Sequence, residues 1–138
     1  HCTWENLREM QDSGLVEVEN HSYDMHKKAG LRNGSKRIKG ESIHQYKKYL
    51  TEDLELMQKR VSEQLEITPT TFVYPFGAVS ESSIDIIKEM GFRATLGCEN
   101  KVNKITHDPE CLYNLKRFIR THNVTVEKIL KSHVENTD

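Results

Sequence analysis

Apolar residues recur along this chain with two different periods, and the two periods alternate. Tyr46, Leu50, Leu54, Met57, Val61 and Leu65 follow one another at steps of three or four, the spacing of one buried helix face. Thr70 to Tyr74 is a short β-branched and aromatic run, and Ala94 to Cys98 a second short run, as in strands. Pro75 ends the first, because it has no N–H for a central ladder. The remaining segments join the same alternation. Thr3 is placed to cap a helix carrying Trp4, Leu7 and Met10, with Gly14 at its stop. Leu15 to Glu19 alternates apolar and acidic, which predicts a strand delivering His21 at its C-terminal end. Ser42 and Gln45 form a capping box ahead of the long helix. Ser80 opens a helix with Ile84, Ile87 and Met90 inward and Gly91 at its close. Leu115 to Ile119 is a further candidate strand, and Thr125 caps a last helix with Val126, Ile129 and Leu130 inward. Such alternation predicts an α/β fold in which mostly parallel strands are covered by helices.

At 138 residues the chain has the length of one domain. Its 20 basic and 21 acidic residues leave no global field for nucleic acid or an acidic surface. No apolar run approaches the roughly 20 residues of a membrane span. Cys2, Cys98 and Cys111 are odd in number and lack CxxC spacing, so reduced thiols are expected rather than a disulfide framework or zinc knuckle. Cys98 has no partnered base in sequence that would make it a nucleophile. Residues 27–40 read as irregular: Gly30, Gly34 and Gly40 break periodicity, and Lys27, Lys28, Arg32, Lys36, Arg37 and Lys39 are accompanied by no acid. A solvated loop is the plain reading. A polyanion-binding module is the alternative, without the interleaved aromatics that stack bases. The chain opens at His1 without a methionine or a signal pattern, so an upstream segment is expected.

The chemistry is concentrated in Asn20-His21-Ser22-Tyr23-Asp24-Met25-His26. Two imidazoles and a carboxylate can supply nitrogen and oxygen ligands to a borderline metal. On a helix, a spacing of five would put the rings about 140° apart. A strand end running into a turn has no such limit. Spacing alone also allows two neighbouring surface histidines. His44, His107, His122 and His133 stand apart and read as surface residues.

His21-Ser22-Tyr23-Asp24-Met25-His26 resembles the metal-binding motif of the polysaccharide deacetylases, carbohydrate esterases of NodB-homology type. The five-residue spacing is similar to that of the branch acting on poly-N-acetylglucosamine in biofilm matrices. Phe72-Val73-Tyr74-Pro75-Phe76-Gly77 resembles the family's Arg-x-Pro-aromatic-Gly groove motif, with Val73 in place of the arginine. Ile86 to Phe92, followed by Ala94, is similar to the helix–glycine–strand unit after that groove. The resemblance runs from about residue 1 to residue 120.

The resemblance implies a (β/α) barrel, here incomplete and distorted. It implies a hydrolase that removes acetyl groups from an N-acetylated polysaccharide. It implies a divalent metal, zinc first, on His21 and His26, and an oxyanion donor at the backbone N–H of Phe76. Tyr74, Pro75 and Phe76 would wall the sugar site, and Arg117 could reach it from the 115–119 segment. By the same resemblance the setting is bacterial, extracellular or in the cell envelope. The family's Thr-Phe-Asp-Asp stretch, with its third ligand and catalytic base, has no counterpart here, and Leu115-Lys116-Arg117 lacks the histidine of the late Leu-x-His motif. Asp24 is a stand-in ligand candidate. Residues 1–138 are therefore expected to form a partial domain that holds metal weakly, has little or no activity, and self-associates through an exposed sheet edge. A catalytically dead glycan-binding remnant is the other reading.

Overall fold

The computed structural model describes residues 2–134, apart from the side chains of Ala29 and residues 132–134. Its centre is a β–α–β unit. Strand β3 (Thr71–Val73) runs parallel to β4 (Ala94–Leu96), with Phe72 opposite Thr95, and helix α3 (Ser83–Glu89) lies between them in the chain. One parallel bridge extends the sheet on each side, Asn20 with Phe72 and Leu96 with Leu115. Parallel strands joined through a helix are the α/β arrangement the periodicity predicts. Among the described residues these short strands do not close into a barrel.

Neither of the other two predicted strands forms. Beside Leu15 to Glu19 the only pairing among the described residues is the bridge at the next residue, Asn20. Leu115 to Ile119 keeps the bridge at Leu115 and the Arg117 N–H bond to the Glu99 carbonyl, while side chains take other backbone groups. Over Leu15 to Glu19, the Val18 N–H goes to Gln11 Oε1, and the Glu19 carboxylate accepts the Thr71 N–H. Leu15 is 89% exposed, so no core reads the alternation. Over Leu115 to Ile119, Asn103 Oδ1 takes the Lys116 N–H and Asn100 Oδ1 the Ile119 N–H.

Helix α1 (Trp4–Asp12) carries the Thr3 cap, reciprocated by Asn6. Helix α2 (Ile43–Leu65) carries the Ser42–Gln45 capping box and buries Tyr46, Leu50, Leu54, Val61 and Leu65 along one face. Met25, Phe72, Tyr74, Phe92, Ile86 and Ile87 complete the core between that face and the sheet. Helix α3 begins at Ser83 rather than at Ser80, whose hydroxyl accepts the Arg37 N–H instead. Helix α4 (Val126–Val134) has its Thr125 cap, but Val126 and Leu130 are exposed, not inward.

Residues 27–40 are more ordered than their composition predicts. Strands β1 (Lys28–Ala29) and β2 (Arg32–Asn33) form an antiparallel hairpin. Arg32 pairs with Glu41 and stacks its guanidinium 3.9 Å from the centre of the Tyr49 ring. Arg37 donates to the Glu41 carbonyl, and Lys27 pairs with Asp24. Half of the six loop cations are thus engaged within the chain, which weakens the polyanion-binding reading. Burial would raise the Glu41 carboxyl, but the Arg32 hydrogen bond, the Ile38 N–H and the Arg32 and Arg37 charges hold it below its usual value.

A carboxyl depressed in the folded state stabilises above its unfolded pKa, and that contribution is lost as pH falls through the folded value. Glu41→Gln should therefore destabilise the chain by roughly 1–3 kcal/mol at neutral pH. Denaturant titrations should show the gap to the unsubstituted chain narrowing once pH drops below 4.5. A gap that holds constant into acid would refute the latch.

Candidate active site

The Asn20 bridge fixes where His21 emerges. Asn20 donates to the Thr71 carbonyl and accepts from the Val73 N–H at 2.8 Å, so the next residue leaves the sheet beside Val73. His21 Nδ1 then lies 2.7 Å from the Val73 carbonyl oxygen. A carbonyl only accepts, so Nδ1 carries a proton, and in the neutral ring Nε2 is the nitrogen with the lone pair. Holding one ring nitrogen this way is how proteins orient a metal-ligating imidazole.

After His21 the chain reverses through Ser22, at φ 72°. Asn20 Oδ1 accepts the Ser22 N–H, and Ser22 Oγ accepts the Met25 N–H. Met25 is buried and pins the turn to the core. His26 comes back beside His21, with ring centres 5.0 Å apart. Its other neighbour is Phe76, at 4.2 Å between ring centres. The structure thus gathers His21, His26 and Phe76 at one place, at the C-terminal end of β3.

Phe76 occupies a short 3₁₀ turn, Pro75–Gly77, with φ 57° and 42% of its surface exposed. A bulky residue in the left-handed region is strained and persists only where its surroundings enforce it. Gly34, after the hairpin, is part of that enforcement. A Cβ there would meet the Pro75 carbonyl oxygen at 2.8 Å and the Phe76 ring at 3.3 Å. An open cleft of about 500 Å³ adjoins Phe76, lined among others by Asn33, Lys36, Cys98 and Glu99.

Other expected site residues lie elsewhere. Tyr74 is fully buried, its hydroxyl 2.6 Å from Ser83 Oγ, and burial pushes its phenol up to about 12. It supports the turn from beneath and does not wall a sugar. Pro75 is buried as well, which leaves Phe76 as the exposed member of the three. Arg117 donates to the Gly97 carbonyl at 2.6 Å and to Sγ of Cys98 at 3.0 Å, so it stands behind the cysteine that lines the cleft beside Phe76. The Asp24 carboxylate is turned to Lys27. Among the described residues no three His, Cys, Asp or Glu side chains converge on one point. His44, His107 and His122 are exposed, and the side chain of His133 lies outside the described residues. From the sequence, Gly34 is only one of three glycines that break periodicity, and Asp53 is not singled out at all. Asp53 accepts the Tyr23 and Asp24 N–H groups from within α2, and nothing local in sequence marks either contact.

The chain has relatives both in sequence and in fold. The profile of the polysaccharide deacetylase family matches residues 1–95, which include both histidines and the Phe76 turn. Over 95 residues the chain is 28% identical to the poly-beta-1,6-N-acetyl-D-glucosamine N-deacetylase of Staphylococcus aureus (strain MRSA252), covering 69% of this chain and 31% of that protein. Among solved structures, a de-N-acetylase from Aggregatibacter actinomycetemcomitans superposes with a TM-score of 0.75 at 26% identity, over 94% of this chain and 52% of that one. IcaB from Ammonifex degensii shares the fold, with a TM-score of 0.71 at 23% identity over 95% and 51% of the two chains. The chain therefore spans about half the length of these solved chains and 31% of the curated relative. With its model match covering both site segments, this chain belongs to the polysaccharide deacetylase family.

Proposed function

We propose that this chain supplies the histidine and oxyanion side of a metal-dependent site that hydrolyses the N-acetyl groups of an N-acetylglucosamine-containing polysaccharide. The supporting observation is the convergence of His21 and His26 beside the Phe76 turn. Two imidazole nitrogens, one ring already oriented by a carbonyl, suit a borderline divalent ion, zinc first. They fall short of the three protein ligands usual in catalytic sites. A divalent ion on His21 and His26 would supply Lewis-acid polarisation of the acetyl carbonyl and acidify a water.

The chain's own residues do the rest. The Val73 carbonyl keeps His21 in the tautomer that leaves Nε2 open. The Phe76 N–H is the candidate donor to the oxyanion that forms as the amide is attacked, a role for backbone donors held rigidly in place. The exposed Phe76 ring offers a flat apolar surface to one face of a pyranose. With two nitrogen donors and no carboxylate among them, this chain alone holds the ion weakly and releases acetate slowly or not at all. A (β/α) barrel completed outside the described strands, association through the sheet edge, and a bacterial envelope or extracellular setting belong to the same proposal. No helix among the described residues is long and apolar enough to cross a membrane.

Zinc titration monitored calorimetrically should show one weak site, and His21→Ala or His26→Ala should abolish it. Failure of the unsubstituted chain to bind zinc would remove the metal reading. Acetate release from N-acetylglucosamine oligomers should be slight and chelator-sensitive. Rapid turnover would overturn the weak-activity statement, while oligomer binding without release at any metal concentration would favour the glycan-binding remnant. Gly34→Ala should cost roughly 1–3 kcal/mol of stability and disturb the Phe76 turn, because the new methyl meets backbone that has nowhere to move. Unchanged near-ultraviolet circular dichroism and melting temperature would contradict that.

A further inference from the structure

Asp53 sits in the middle of α2, distant in sequence from the histidine loop. Both of its carboxylate oxygens are nevertheless occupied by that loop. Oδ1 accepts the Tyr23 N–H at 2.7 Å and Oδ2 accepts the Asp24 N–H at 2.8 Å. One carboxylate taking two successive amides fixes both the position and the tilt of the peptide between them, through charge-assisted bonds. That peptide lies midway between His21 and His26. The neighbouring helix residue holds the loop's start, since the Leu54 carbonyl accepts from Asn20 Nδ2 at 3.2 Å. The amides of Ser22, Tyr23, Asp24 and Met25 are all thereby engaged by side chains, and Asp53 is the member of that set that comes from another element.

We infer that Asp53 is a positioning residue for the two histidines, holding the loop so that the imidazoles converge before any ion arrives. The inference rests on the metal reading proposed above. An ordinary structural contact would behave differently. The packing of α2 runs through Tyr46, Leu50, Leu54, Val61 and Leu65, and none of it requires the Asp53 carboxylate. The two residues whose amides it clamps are themselves exposed, Tyr23 at 49%, with buried Ser22 and Met25 on either side. Losing Asp53 should therefore loosen the loop and leave the core intact.

The test compares Asp53→Ala and Asp53→Asn with the unsubstituted chain, with Glu55→Gln on the same helix as control. Hydrogen exchange on the metal-free chain should show protection of the Tyr23 and Asp24 amides falling about tenfold or more in Asp53→Ala, with α2 amides unchanged. Histidine ring nitrogen shifts should show His21 losing its single tautomer. Zinc affinity should fall on the order of tenfold, as for other groups that orient a metal ligand. Asp53→Asn, which keeps one acceptor, should fall between, and it decides the matter if Asp53→Ala does not fold. Unchanged loop protection and an unchanged His21 tautomer would overturn the inference, as would loss of α2 protection in step with the loop. If the unsubstituted chain binds no zinc, the metal reading fails, while the exchange and tautomer results still decide whether Asp53 positions the rings.

Discussion

Asn20 is fully buried, and its polar groups tie together the three parts on which the site depends. Its backbone pairs with Thr71 and Val73, its Nδ2 donates to the Leu54 carbonyl and lies 3.4 Å from Gln58 Oε1, and its Oδ1 accepts the Ser22 N–H. A buried amide is tolerated when it is satisfied in this way, and its directional bonds then specify one arrangement. Sheet edge, long helix and histidine loop are held at one point. With Asn20 in place, His21 has little choice but to meet the Val73 carbonyl.

The opposite wall of the site depends on backbone fitted closely against backbone. Phe76 is held at a positive φ that L residues rarely adopt, and Gly34 lets the hairpin approach the Pro75 carbonyl more closely than any side chain would allow. The hairpin is in turn latched by Arg32 to Glu41 and Tyr49. The buried Tyr46 hydroxyl donates to the Ser35 carbonyl at 2.8 Å, which ties the segment after the hairpin to α2. A loop whose composition suggests a solvated cationic surface is therefore a buttress for the turn. Its attachment runs through contacts between residues far enough apart in sequence that no local pattern marks them.

What was legible in the sequence was what is decided locally. The Thr3 and Ser42 caps need only the next three residues, and the α2 stripe only a period of 3.6. The strand at Leu15 to Glu19 failed because alternation signals a strand only when a partner pairs it and a core reads one face. Here the Gln11 side chain takes the Val18 N–H, and Glu19 meets the Thr71 N–H of β3 through its carboxylate. Tyr74 shows the reverse error. Tyr74, still extended just past the end of β3, is two residues from Phe72, so both face the core, as a period of two requires. Family resemblance drew Tyr74 toward the sugar, whereas the pleat turned it away. His21 and His26 were legible as a pair because a turn after a strand can bring rings together at that spacing. The Asp53 clamp was not, because it is made entirely by tertiary contact.

The charge balance of the histidine loop explains why metal affinity, more than folding, should depend on groups outside it. Neutral imidazoles donate electron pairs but leave the full charge of a divalent ion uncompensated. Asp24 is the loop's own carboxylate, and its charge is matched by Lys27. Lys28 and Lys36 remain exposed in the adjoining hairpin segment, and both oxygens of the Asp53 carboxylate are taken by the Tyr23 and Asp24 amides. The loop itself keeps its shape without an ion, through Asn20, Ser22, Met25 and Asp53. A carboxylate brought to the histidine pair would act as a third ligand and as the compensating charge together. Such a group strengthens ion binding greatly while changing little in a loop that is already built.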